Sequence, residues 1–259
     1  MSLERTNAFA IPQTLVVAFA AGLLIAGVAR PAGAEGAPAY VTAAIADPKR
    51  DQSDAALDPA RHPAETLTLI GLKPGDKIVE FIPRTYWRRL FSDVVGPEGH
   101  VYLFCPTEFS DNFAQAQDDP KPLPGFSNVS VILGHVDSFT TPEPVDVVWM
   151  RQNYHDLYDQ FMGPADVPAI NRAIYKALKP GGLYVIIDHS AKDGTGIAAT
   201  ETLHRIDAAV VKRDLTEAGF VFVADSNLLR NPADVRDQLS EAPSMINKTD
   251  QFFYVFRKP

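Results

Sequence analysis

The chain has 259 residues, 46% of them hydrophobic and 22% charged, with 16 Gly and 21 Pro, a globular composition that excludes disordered, collagen-like and low-complexity classes. A formal charge of −8 argues against a phosphate-binding surface, so no nucleic-acid partner is expected. With a single cysteine, Cys105, the chain can form neither an internal disulfide nor a multi-cysteine zinc site.

In chain order, residues 17–28 are an unbroken apolar run, preceded by Arg5 and followed by Ala32-Gly33-Ala34. Charge, short apolar core and small-residue exit predict a secretory signal over residues 1–34, removed near Ala34. The run is shorter than the roughly 20 residues a spanning helix needs. A periplasmic or secreted protein without a stable membrane span is therefore expected. Residues 35–60 read as an extended lead-in with a short helix, and residues 61–259 as the main domain. Pro63 suits the first turn of a helix that buries Leu67 and Ile70 and ends at Gly71. Lys73-Pro74-Gly75-Asp76 is a turn. Strand-like runs follow at residues 77–82, 100–104, 129–133, 145–150 and 183–188. Between the last two, residues 167–178 space Ile170, Ile174 and Leu178 one helical turn apart, and Lys179-Pro180-Gly181-Gly182 stops that helix. Strands alternating with helices predict crossovers and a parallel sheet. Residues 200–218 read as one long helix, and residues 220–225 and 251–256 as two final strands. The connection between those strands, residues 227–250, is too long for a bare hairpin loop and is expected to carry function or cover a site. The sum is an α/β, Rossmann-like doubly wound sheet of about seven strands.

Gly71-Leu72-Lys73-Pro74-Gly75-Asp76 and Leu178-Lys179-Pro180-Gly181-Gly182 each stand before a strand, with Tyr154-His155-Asp156-Leu157 and Asp188-His189-Ser190-Ala191. Thr202-Leu203-His204-Arg205-Ile206-Asp207, Leu229-Arg230-Asn231-Pro232 and Lys248-Thr249-Asp250-Gln251-Phe252 complete the set. Together these segments resemble class I S-adenosylmethionine (SAM) dependent methyltransferases, specifically an exported bacterial branch of predicted methyltransferases. The resemblance implies seven strands, the last antiparallel and inserted beside the sixth, with SAM bound over the carboxyl ends of the early strands. It also implies an acidic residue closing the first strand, here Glu80, then a glycine-rich turn. In this chain Arg84, Thr85 and Tyr86 stand where those glycines are expected, so three side chains are expected in the cofactor's space. Arg84 could instead pair with an anionic ligand. Glu108, after the second strand, is the candidate for the ribose hydroxyls, and Asp137, after the third, for the adenine amino group. Thus Glu80, Arg84, Thr85, Glu108 and Asp137 are the candidate cofactor residues.

His155, His189 and His204 fall at the same expected edge, each close in sequence to an aspartate: Asp156, Asp188 and Asp207. A His–Asp pair is a reasonable general base, so His155 or His189 is the candidate base, and Tyr154 is expected to wall the acceptor pocket. Converging His and carboxylate groups could instead hold a metal, although no His-Glu-x-x-His motif is present. The leading expectation is a SAM-dependent methyltransferase acting outside the cytoplasm on a small molecule or an envelope component. A non-catalytic binding protein of the same fold and a metal-assisted hydrolase or lyase remain alternatives. Cys105 reads as a small buried residue rather than a nucleophile.

Overall fold

Runs of Val, Ile, Phe and Tyr pair in the computed structural model, which describes residues 36–109, 117–163 and 165–259. The expected signal segment lies outside the described residues. The strands are β1 (Lys77–Phe81), β2 (His100–Pro106), β3 (Gln117–Pro122), β4 (Val129–Gly134), β5 (Val145–Arg151), β6 (Leu178–His189), β7 (Val221–Ser226) and β8 (Gln251–Arg257). They form one sheet in the order β3-β4-β2-β1-β5-β6-β8-β7. β1 runs parallel to both neighbours, with Glu80 opposite Leu103 on β2 and Trp149 on β5. β8 lies antiparallel between β6 and β7. Seven strands thus give the expected mixed sheet with its antiparallel last strand. β3 is an additional antiparallel edge strand beside β4. Its sequence, Gln-Asp-Asp-Pro-Lys-Pro, was not legible as a strand because proline is tolerated only where no ladder donor is required, as at an edge.

Alternation along the strands splits the core in two. Val79, Phe81, Phe104, Val148, Met150 and Ile186 face α6 (Val167–Ala177) and α8 (Ala208–Glu217). Ile78, Leu103, Cys105, Val147, Trp149 and Ile187 face the other layer. That layer comprises α1 (Ala39–Ile45), α4 (Pro63–Ile70) and α5 (Thr85–Val95). Its centre is aromatic: the Trp87 and Trp149 rings lie 4.9 Å apart, and Phe91 and Phe253 stack against them. Burying one such ring contributes about 2–3 kcal/mol. α4 begins at Pro63 and stops at Gly71, as its sequence predicts.

Three local expectations change. The lead-in holds α1 and two further short helices, α2 (Gln52–Ala55) and α3 (Asp58–Arg61), not one. β6 starts at Leu178, so Lys179-Pro180-Gly181-Gly182 forms an irregular strand entrance rather than a preceding turn. Gly181 sits at φ +80°, and a Cβ on Gly182 would lie 2.9 Å from the Lys179 carbonyl oxygen, which explains the glycine pair. The long helix breaks into α7 (Thr200–Leu203) and α8. The break arises because Ile206 bridges to Ser190 beside β6, Arg205 turns into the interior, and Asp207 caps α8 by accepting from the Ala209 N–H at 2.9 Å.

From β1 the chain first builds outward through β2 to β4, then crosses back to β5. The topological switch point therefore lies between the carboxyl ends of β1 and β5, where open α/β sheets form ligand crevices. Among the described residues no helix is long and apolar enough to cross a membrane.

Candidate active site at the carboxyl edge

Both strands flanking the switch point end in a left-handed residue that is not glycine: Ile82 at φ +57° and Gln152 at φ +60°. The Ile82 N–H donates to the Phe104 carbonyl oxygen at 2.9 Å and the Gln152 N–H to the Ile187 carbonyl oxygen at 2.6 Å. A β-branched residue in this region is strained, and such strain gathers at functional sites. The glycine-like bend of the first turn thus falls on Ile82, whereas Arg84 is extended at φ −122°.

The expectation that Arg84, Thr85 and Tyr86 all fill the crevice is corrected for Tyr86. Its ring is buried beneath the Arg61 guanidinium, 4.2 Å from the centroid, and its hydroxyl donates to Asp58. That residue anchors the lead-in helices and leaves the turn. Arg84 and Thr85 remain exposed at the rim, with the Arg84 guanidinium 5.9 Å from the Phe109 ring centroid beyond β2. The N-cap residue of α5, Arg84, makes no side-chain capping bond.

Glu80 closes β1 at 2% exposure. Its Oε1 accepts from the Arg84 N–H at 3.2 Å, while Oε2 is buried without a partner. Burial pushes its carboxyl up to about 8, against the opposing pull of Arg88, Arg151 and Arg61. Glu108 turns toward the loop after β4. Its carboxylate accepts from the Val136 N–H at 3.1 Å and contacts His135 Nδ1 at 2.9 Å. Asp137 is exposed in the same loop and accepts from the Asp166 N–H at 3.2 Å.

On the β5–β6 side, His155 is buried, with Nδ1 2.8 Å from Asp188 Oδ1 and Nε2 3.3 Å from Asp156 Oδ1. Burial alone would lower its pKa, but Asp188 and Asp156 together raise it to about 10. The two aspartates thus favour a positive charge on or beside this ring, which speaks for His189 rather than His155 as the base. His189 is the opposite case. Burial, then the neighbouring His155, Arg151 and Arg205, drive its pKa well below the usual histidine value, and Nδ1 lies 2.7 Å from Thr249 Oγ1. Tyr154 is not among the residues that line the hollow beside Tyr158. It is fully buried, accepting from Asn171 Nδ2 at 2.8 Å and donating to Asp214 Oδ2 at 3.2 Å. Its neighbour Tyr158 instead lines an open hollow of about 400 Å³ with Leu157, Asp159, Gln160 and Val167. Cys105 is buried as expected, and burial pushes its thiol up to about 12.

Sequence reasoning missed Asp159 and Arg151. Asp159 is 2% exposed, and among the described residues neither of its carboxylate oxygens meets a donor in good hydrogen-bond geometry, with the Thr200 hydroxyl beside it. Arg151 ends β5, its Nη1 donating to Gln152 Oε1 at 2.6 Å and its Nε buried without a partner. Asp159 follows Tyr154-His155-Asp156-Leu157 closely, and that proximity was the only available signal.

A SAM-dependent methyltransferase from Aquifex aeolicus matches this sheet with a TM-score of 0.53 at 20% identity, covering 82% of this chain and 100% of that one. The fold is that of the class I methyltransferases. Sequence relatives agree in kind. The chain is 27% identical over 130 residues to a demethylmenaquinone methyltransferase of Listeria welshimeri, 49% of this chain and 50% of that protein. It is 29% identical over 116 residues to a protein-L-isoaspartate O-methyltransferase of Ignicoccus hospitalis, 44% of this chain and 48% of that protein. The chain spans about half the length of these curated relatives, and their names differ in acceptor. No family model matches the sequence. On the methyltransferase fold, Glu80, Ile82 and Arg84 lie at the first βα turn, beside the switch point.

Proposed function

We propose that this protein is a SAM-dependent methyltransferase that acts on a small molecule or an envelope component after export and removal of residues 1–34. The observation carrying this reading is Glu80 Oε2, a buried carboxylate oxygen without a partner at the switch point of a methyltransferase fold. A buried acceptor left unmatched is costly unless a ligand donor completes it.

The residues present fit the cofactor's amino-acid end. Glu80 would accept from its ammonium group, and the uncapped N-terminus of α5 together with exposed Arg84 and Thr85 would receive its carboxylate. The bend at Ile82 supplies the backbone approach that glycine usually permits, and Tyr86 is held out of the way by Asp58. Glu108 and Asp137 would serve the remaining length of the cofactor, Glu108 ordering the loop that carries Asp137 by accepting from the Val136 N–H. SAM supplies an electrophilic methyl group when bound. The chain's task is then alignment, with a proton acceptor where the acceptor atom carries a proton. His189, neutral at physiological pH and fixed by Thr249, suits that task. The hollow beside Tyr158 and Asp159, at about 400 Å³, is of small-molecule size.

Isothermal titration of the chain lacking residues 1–34 with SAM tests the reading. Saturable 1:1 micromolar binding that Glu80→Gln weakens at least tenfold is expected. Absence of binding would overturn it in favour of a non-catalytic scaffold whose Arg84 recognises another anion.

A further inference from the structure

The 3-10 turn His155–Tyr158 follows β5, and His204 ends α7 in the left-handed conformation at φ +47°. These two segments, far apart in sequence, bring four ligand-type side chains together. His155 Nε2 lies 3.3 Å from His204 Nδ1 and 3.3 Å from Asp156 Oδ1. His204 Nδ1 is 3.8 Å from Asp156 Oδ1 and 3.9 Å from Asp159 Oδ2. One ligand atom from each residue falls within 4.8 Å of all the others. Tetrahedral ligands bound at about 2.0–2.1 Å stand roughly 3.3 Å apart, so the observed spacings need only a small contraction.

Asp159 decides between a hydrogen-bond network and a site. Among the described residues neither oxygen meets a donor in good hydrogen-bond geometry, the Thr200 hydroxyl beside it donating to the Ile197 carbonyl oxygen at 3.2 Å, and the carboxylate faces Thr200 and the His155 ring only loosely. A network among these groups leaves that buried carboxylate under-matched. The outer atoms of two other ligands are already committed. His155 Nδ1 is held by Asp188 Oδ1 at 2.8 Å, which aims Nε2 inward, and Asp156 Oδ2 accepts from Asn153 Nδ2 at 2.7 Å, which turns Oδ1 toward His155 Nε2 and the cluster. A carboxylate behind a ligating histidine is the usual outer support of a metal-bound imidazole.

We propose that His155, Asp156, Asp159 and His204 form a four-coordinate site for a zinc-class divalent metal ion, with two imidazole nitrogens and two carboxylate oxygens as ligands. Two carboxylates and a divalent cation sum to neutral charge, which resolves the burial of Asp159. Imidazole–carboxylate sets suit zinc and its transition-metal neighbours. The ion ties the turn after β5 to the end of α7, along the hollow that Asp159 also lines. The proposal does not rest on methyl transfer.

The test is titration of the chelator-treated, dialysed full chain with cobalt(II) and then zinc, read by visible absorption and by thermal melting. One equivalent of four-coordinate cobalt, displaced by zinc, and a melting temperature that rises with zinc are expected. Asp159→Asn and His204→Ala should each weaken binding more than tenfold. In chelator, Asp159→Asn should melt at or above the parent temperature, because it removes an under-matched buried charge, which separates ligation from a folding role. His62→Gln should still bind one equivalent. The proposal is overturned if the parent chain takes up no stoichiometric metal, if both cluster variants keep parental affinity, or if His62→Gln loses the ion.

Discussion

Arg205–Asp234 and Glu80 are charged groups of similar depth at the same edge of the sheet, yet they differ in completeness. Every nitrogen of the Arg205 guanidinium is used, on Asp234 at 2.8 and 3.3 Å, on the Gln238 carbonyl at 2.8 Å and on the Ser190 carbonyl at 3.0 Å. Asp234 also accepts from the N–H groups of Arg236 and Asp250. This closed network fastens the long connection between β7 and β8 against the break between α7 and α8. Ser240 adds its N–H to the Leu203 carbonyl, one residue before His204. Glu80 keeps one carboxylate oxygen unmatched, and Asp159 keeps two. A closed network holds the fold, whereas an open one is capacity for a ligand.

Three variants sharpen that contrast. Asp234→Ala has the largest expected effect. It strands Arg205 as a buried unpaired cation and should cost about 3–5 kcal/mol in urea unfolding. A loss under about 1 kcal/mol would deny that the network clamps the connection. Glu80→Gln comes next and acts through pH. With its carboxyl raised to about 8 in the folded chain, Glu80 holds a proton that the unfolded chain releases near the ordinary value of 4.5. Its stabilisation is therefore complete below that ordinary value and drains away as pH rises toward 8, by up to about 1.4 kcal/mol per pH unit. Glu80→Gln should flatten this decline in melting temperature over the same window, and an unchanged slope would place the titration elsewhere. Arg84→Ala is the smallest in stability, within about 0.5 kcal/mol, because its side chain is exposed. If Arg84 receives the cofactor carboxylate, the same variant should lower SAM affinity roughly tenfold by calorimetry.

The strands other than β3 were legible because β-branched and aromatic runs alternate with turn residues, and α4 and α6 because their apolar spacing is helical. The break at residues 204–207 was not legible. Its causes are Arg205 reaching Asp234, and Ile206 reaching Ser190, both across long sequence separations. The site divides in the same way. Glu80 could be named from its place at a strand end, and His155, His189 and His204 from their shared edge. The raised pKa of His155, the lowered pKa of His189 and the burial of Tyr154 depend on partners that no local pattern announces.

The sequence by itself determined the order of seven strands and of the helices α4 and α6, and through it the switch point between β1 and β5, because hydrophobic period and turn chemistry act over a few neighbouring residues. Tertiary structure alone decided which polar atoms end up matched. Tyr86 is spoken for by Asp58, Glu108 by the Val136 N–H, and Tyr154 by Asn171 and Asp214, while Glu80 and Asp159 are left open. Matching buried donors and acceptors is a property of the packed whole, since each partner arrives from a different part of the chain.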